Sequence, residues 1–273
     1  MSVLEVSHCM PPAAQRVARR AWRNGASLLG ERTLAEEVPV AFSYDGVAHA
    51  VLMATPDDLE DFALGFTYTE GIITAPDEIA ELAVASVADG IVLRMWLADA
   101  RSDAFATRRR RFVGPAGCGM CGLESLVEAN RAIPLVSCGL QVSRQDIAEA
   151  VAALPARQQL NTQTRAVHAA AFWRTDKELM LREDVGRHNA LDKLAGALLH
   201  TGQSAALGVI VLSSRISIEL VQKAGMIGAT FIVGVSAPTA LAVRTAEAIG
   251  VTLVGVARDD GFEVFTHPER IRR

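Results

Sequence analysis

Aromatic side chains are scarce. Phenylalanine, tyrosine and tryptophan make up 5% of the 273 residues, so a core must come mainly from aliphatic side chains. Cysteine is rarer still: Cys9, Cys118, Cys121 and Cys138 are the whole complement. That is too few for a disulfide framework and fits a reducing cytosol, so a cytoplasmic location is expected. No charge sign dominates. The formal net charge of −4 gives no global reason to bind nucleic acid or an anionic membrane. No apolar run reaches the roughly 20 residues of a membrane-spanning helix. Residues 1 to 23 contain arginines but lack the continuous apolar segment of a signal peptide. A glycine fingerprint for a nicotinamide cofactor and a P-loop are both missing, as are internal repeats and low-complexity tracts. What remains is ordinary globular composition, half apolar and 21% charged, enough for one large domain or two of ordinary size.

The most distinctive stretch is Gly117-Cys118-Gly119-Met120-Cys121-Gly122. A Cys-x-x-Cys spacing lets two sulfurs meet on one turn or face one electrophile. Glycine before, between and after them frees the backbone for close approach. Arg108 to Arg111 lie just upstream, and nearby cations favour the nucleophilic thiolate. Sulfur chemistry, a redox dithiol and half of a zinc site all remain open on these residues alone. The spacing of Cys118, Cys121 and Cys138 with any histidine matches no zinc finger or ribbon, so no metal site is expected.

In chain order, residues 1–30 read as a loosely ordered tail. Residues 31–107 read as a small α+β domain. In it, strands at 37–44 and 47–53 are joined by Asp45-Gly46, a strong hairpin signal. Thr55-Pro56 reads as the cap and first position of a helix carrying Leu59, Phe62, Ala63 and Phe66 on one stripe. Asp57, Asp58, Glu60 and Asp61 read as its solvated face. A short helix at 76–83 and a strand at 90–97 follow. Residues 108–125 hold the arginines and the cysteine loop, with a helix expected at 123–132. Residues 126–273 form the second domain. It opens with a helix at 142–154 capped by Ser143 and a polar loop at 158–164. From 167 onward apolar strands alternate with helices, the pattern of an α/β layer structure with parallel strands buried on both faces.

Ligands in open sheets of this kind bind outside the carboxyl ends of the strands. The residues there are Arg187, His188 and Asn189; Ser213, Ser214 and Arg215; Ser236 and Thr239; and Arg258. Hydroxyls and arginines leading into helix amino ends suit a phosphate-bearing ligand. His188 is also placed for acid/base work, whereas His168, in an alanine-rich strand, reads as structural.

Five segments, in order, resemble the FdhD family, the formate dehydrogenase accessory sulfurtransferases. They are residues 50–66, the cysteine loop at 117–122, Arg182-Glu-Asp-Val-Gly-Arg-His-Asn-Ala-Leu-Asp-Lys193, residues 213–224 and Val235-Ser-Ala-Pro-Thr239 with its following helix. The resemblance implies a cytoplasmic homodimer. It also implies an α/β fold, α+β overall, with a cytidine-deaminase-like α/β/α C-terminal domain and a smaller N-terminal domain. It further implies a sulfurtransferase. A cysteine desulfurase would hand persulfide sulfur to Cys118, and the sulfur would pass to the molybdenum of bis(molybdopterin guanine dinucleotide) during maturation of formate dehydrogenase. Cys121 matches the family's second cysteine. Val256, Ala257, Arg258, Asp259, Asp260 and Gly261 match its cofactor-binding stretch, for which GDP would be a mimic. His-x-Glu ahead of the Cys-x-x-Cys, the mark of a zinc deaminase, is missing. The sequence departs from the family's Thr-Gly-Gly-x-His pattern, reading Thr164-Arg165-Ala166-Val167-His168.

Overall fold

The computed structural model describes residues 9–98, 101–102, 133–137, 139–176 and 178–272. The chain is mixed α/β in class, with a four-stranded and a six-stranded sheet held together by one pair of helices.

The first element corrects an expectation. Residues assigned to the tail form a hairpin of β1 (Ala14–Arg23) and β2 (Ala26–Ala35), ten residues each, turning at Asn24-Gly25 with φ of 51° and 78°. Nearly every residue is exposed, including Trp22 at 71% and Leu29 at 78%. With neither face buried, no alternation marks the strands in the sequence.

The N-terminal sheet runs β4-β3-β6-β5, from β3 (Val38–Tyr44), β4 (Val47–Ala54), β5 (Ile79–Val87) and β6 (Gly90–Leu97). The Asp45-Gly46 turn stands where the sequence places it, both residues at positive φ. The helix expected over 76–83 is only a 3-10 turn at Pro76–Glu78. The chain then becomes β5, because pairing with β6 from Ile79↔Leu97 to Val87↔Gly90 outweighs local helical propensity. Helix α1 (Leu59–Thr69) covers this sheet. Phe42, Phe62 and Phe66 meet at its centre, with ring centroids 5.0 Å and 4.1 Å from Phe42. Thr55 does not cap α1. Its N-cap position is Asp58, at φ 51° and without a side-chain cap, and Thr55 is buried for another purpose described below. Asp58 and Asp61 are not a free solvated face either, since both pair with Arg182.

After a two-residue strand β7 (Val142–Ser143), which pairs with Ile271–Arg272, the remaining strands build a six-stranded sheet of order β13-β12-β11-β10-β8-β9. β10 (Val209–Leu212), β11 (Phe231–Gly234) and β12 (Thr252–Arg258) are parallel, as their apolar runs imply. β8 (His168–Trp173), β9 (Leu179–Asp184) and β13 (Gly261–Val264) are antiparallel additions at the two sides. Side chains alternate between two cores. Ala170, Phe172, Ile210, Leu212, Ile232 and Leu253 face one way, against Leu191, Leu194, Leu220 and Ala246. Ala169, Ala171, Val209, Val211, Phe231 and Val233 face the other, against Ile147, Ala150 and Leu154. The first group belongs to α4 (Arg187–His200), α5 (Ile218–Met226) and α6 (Ala240–Ile249), the second to α2 (Arg144–Arg157). Ser143 caps α2 as expected, in a capping box with Asp146. The expected loop at 158–164 is instead a short helix, α3 (Gln159–Thr164). Glu183 supplies what its sequence lacks, accepting both the Leu160 and Asn161 N–H at 2.8 Å.

Helices α1 and α4, which cover the four-stranded and six-stranded sheets, meet at glycine-close range. A methyl group on Gly65 would sit 1.7 Å from the Asp192 carbonyl, and one on Gly196 would sit 1.9 Å from the Asp61 carbonyl.

Candidate functional site

Four loops gather at one end of the six-stranded sheet. β10, β11 and β12 end there because they are parallel. β9 ends there too, since two antiparallel steps through β8 restore its direction. The loops are stitched side by side. Val235 N–H donates to Leu212 O at 3.0 Å, Thr239 N–H to Ile216 O at 2.9 Å and Val256 N–H to Ser236 O at 3.3 Å. The loops expected outside the carboxyl ends of the strands lie there.

Their side chains divide by task. Ser213 joins β10 to β8, its hydroxyl oxygen accepting the Ala169 N–H at 2.8 Å. Thr239 caps α6 by accepting the Ala242 N–H at 3.2 Å. Asn189 is buried in the first turn of α4 and donates to Met53 O at 2.8 Å and to Asp184 Oδ1 at 2.9 Å. These three hold the frame. Ser236 is half-buried, while Arg215 and Arg258 are exposed. Residues 256–261, read as the end of a strand and a loop, are the end of β12, a turn at Asp259-Asp260 and the start of β13, with Arg258 opposite Gly261. Val256 lies at φ 52°, in a break of register between Gly255 and Arg258. A β-branched residue at positive φ is a genuine backbone outlier, and such strain concentrates at functional sites. Ala257 is buried, and Asp259 and Asp260 are exposed. Cys118, Cys121, Cys138, Arg108 to Arg111 and the helix expected at 123–132 lie outside the described residues.

At the β8–β9 side stand one arginine and two histidines. His168 faces Asp184 across the strand pair, so the sequence reading of it as merely a strand histidine misses that it stands at this edge. Arg187 opens α4, and its Nε is buried without a hydrogen-bond partner. His188 Nε2 lies 3.4 Å from the Ser217 hydroxyl and 3.8 Å from Glu219 Oε2. Burial, reinforced by the Arg187 cation and partly opposed by Glu219, pushes His188 down to about 4. Burial and Arg187 lower His168 as well, against the opposing pull of Asp184. Both imidazoles are therefore neutral at physiological pH.

The support beneath these groups was not foreseen. Asp184 and Lys193 form a wholly buried ion pair at 2.7 Å. Asp184 also accepts N–H bonds from Thr55 and Gly186, and Lys193 donates to Thr55 O at 2.9 Å. Next to it, Lys223 of α5 reaches Asp192 at 3.0 Å and Glu70 at 2.7 Å. The signal available was Asp192-Lys193 itself, two adjacent charges inside an otherwise apolar helix, and charges are rarely buried unless paired.

A model of the FdhD/NarQ family matches residues 35–272. The chain belongs to that family. A protein of Agrobacterium fabrum named sulfur carrier protein FdhD is 50% identical, over 94% of this chain and 96% of its own. Its namesake from Cupriavidus necator is 44% identical, over 96% and 91%. A crystal structure of a Desulfotalea psychrophila protein, assigned as a formate dehydrogenase accessory protein, superposes with a TM-score of 0.74 at 25% identity, covering 96% of this chain and all of that one. The family match begins where the β1–β2 hairpin ends.

Proposed function

We propose that this chain is a sulfur carrier that serves formate dehydrogenase maturation from the cytoplasm. The observation that carries the reading is the glycine-flanked Cys118/Cys121 pair beside four arginines, in a chain half identical to a protein named a sulfur carrier. The donor is a cysteine desulfurase. The Cys118 thiolate attacks the outer sulfur of the desulfurase persulfide, a new S–S bond forms on Cys118, and the donor cysteine leaves as thiolate. That exchange involves no net redox change. At the acceptor, the sulfane sulfur leaves Cys118 for the molybdenum of bis(molybdopterin guanine dinucleotide). The acceptor supplies the two electrons, and Cys118 returns to thiolate. In catalysing this transfer the chain acts as a sulfurtransferase.

The loop edge supports the second half of the reading. Neither α4 nor α5 has a side-chain N-cap bond, whereas α2 and α6 do. The exposed Arg215, the half-buried Ser236 and the 256–261 turn suit the phosphates of a guanine dinucleotide, with GDP as a mimic. A homodimer fits the exposed apolar side chains of the hairpin, Val17, Trp22, Leu28 and Leu29, because an isolated two-stranded hairpin is marginal in water. The reading is tested by sulfur loading of Cys118, taken up at the end of the Discussion, and by GDP titration. A protein that loads sulfur but binds no GDP would remove the cofactor-holding part.

A further inference from the structure

The arginines of the second domain are unequal. Arg182 is held by Asp58 and Asp61, Arg174 by Asp176 and Arg270 by the Gly250 carbonyl and Glu269. Arg187 is different. The nearest acid along the chain, Asp184, is already occupied by Lys193, Thr55 N–H, Gly186 N–H and Asn189. Arg187 is thus left without a carboxylate among the described residues, and its Nε is buried and unbonded. A buried guanidinium N–H with nothing to donate to is costly, and the geometry that leaves it so is fixed by the ion pair beneath.

Around this orphan donor stand further donors. His168 and His188 both feel the Arg187 charge. Ser217 is buried, its hydroxyl near His188 and bonded to the Glu219 carboxylate, which an entering anion would displace. The amino ends of α4 and α5 both lack side-chain caps. The nearest opposing group to His188 is the half-exposed Glu219, at 3.8 Å, while Asp184, beside His168, is already neutralised by Lys193. We propose that Arg187, His168, His188 and Ser217 form an anion pocket that takes one tetrahedral phosphoryl group, with Glu219 as its competitor for His188. The pocket rests on this geometry; the choice of a phosphoryl ligand rests on the proposed function.

The groups facing the two histidines are Arg187 and Asp184 for His168, and Arg187, Glu219, Lys223 and Glu70 for His188. A phosphoryl dianion entering among them meets the Arg187 cation and the N–H groups of two neutral imidazoles.

The test is calorimetric titration of the full chain with inorganic phosphate at pH 7.5, where the dianion predominates. The pocket predicts saturable binding. Arg187→Met weakens binding by about tenfold or more. Arg244→Met, which removes an exposed charge on α6, leaves it unchanged. Glu219→Gln, a surface change that does not threaten folding, tightens it. Absence of phosphate binding, equal binding by Arg187→Met, or weaker binding by Glu219→Gln overturns the pocket. Competition between phosphate and GDP assigns the phosphoryl group to the nucleotide, and simultaneous binding assigns it to a separate ligand. Sulfur loading on Cys118 is measured without phosphate, so either reading can fail alone.

Discussion

Lys193 holds its ammonium nitrogen 2.7 Å from Asp184 Oδ2, with both side chains wholly out of water. The pair binds three segments at once: Thr55 after β4, the turn after β9 and helix α4, through Asn189 and Lys193 itself. It therefore sets where Arg187 and His188 project. Removing one partner leaves a buried charge uncompensated, which costs about 3–5 kcal/mol. Lys193→Met and Asp184→Asn are each expected to lower the unfolding free energy by that amount, read as a lower urea midpoint. The double variant Asp184→Leu with Lys193→Met should recover part of the loss. Single variants as stable as the parent would show that the pair is not the clamp described.

The α1–α4 contact predicts a steric effect. A Cβ at Gly65 or Gly196 would lie under 2 Å from a carbonyl oxygen of the facing helix, so backbone must move. Gly65→Ala is expected to destabilise by about 3 kcal/mol, at the upper end for overpacking. Thermal unfolding against Gly30→Ala, where nothing lies within 4 Å, is the comparison.

His188 sets a pH dependence. Its folded value is about 4 against 6.5 for the free side chain. Between those values the unfolded chain holds a proton that the folded chain does not. Stability is thus full above pH 6.5, falls as pH drops through 6.5, and levels near 4. His188 is about a third exposed, so after allowance for solvent screening the loss is about 1–2 kcal/mol. Urea unfolding at pH 7 and 4.5 should show a smaller drop for His188→Gln than for the parent.

Arg165 ends α3 with φ 58°, at a position where the family pattern carries glycine. An L-residue there costs about 1 kcal/mol or more, and glycine removes that cost while adding unfolded-state entropy. Arg165→Gly is expected to be neutral to about 1 kcal/mol more stable, read as the shift in melting temperature.

The sequence reveals what is local. Asp45-Gly46 fixes its hairpin, Ser143 with Asp146 fixes the start of α2, and residues 240–249 are helical to the residue. Thr55 escapes because its partner, Asp184, lies 129 positions away. α3 escapes because its amino end is satisfied by Glu183, from another strand. β5 is decided by a partner strand rather than by its own propensity. For the site, the four loops were legible from strand ends and hydroxyls. The division between Ser213, Thr239 and Asn189 as frame and Arg187 as free donor was not, because it depends on which hydrogen bonds are already made.

The central claim is that Cys118 carries sulfur. Intact mass spectrometry after incubation with a cysteine desulfurase and cysteine tests it most directly, with Cys118→Ala alongside. The account predicts one added sulfur on the parent, none on the variant, and loss of that sulfur when the molybdenum cofactor is supplied. No added sulfur on the parent, or equal loading of the variant, would contradict it.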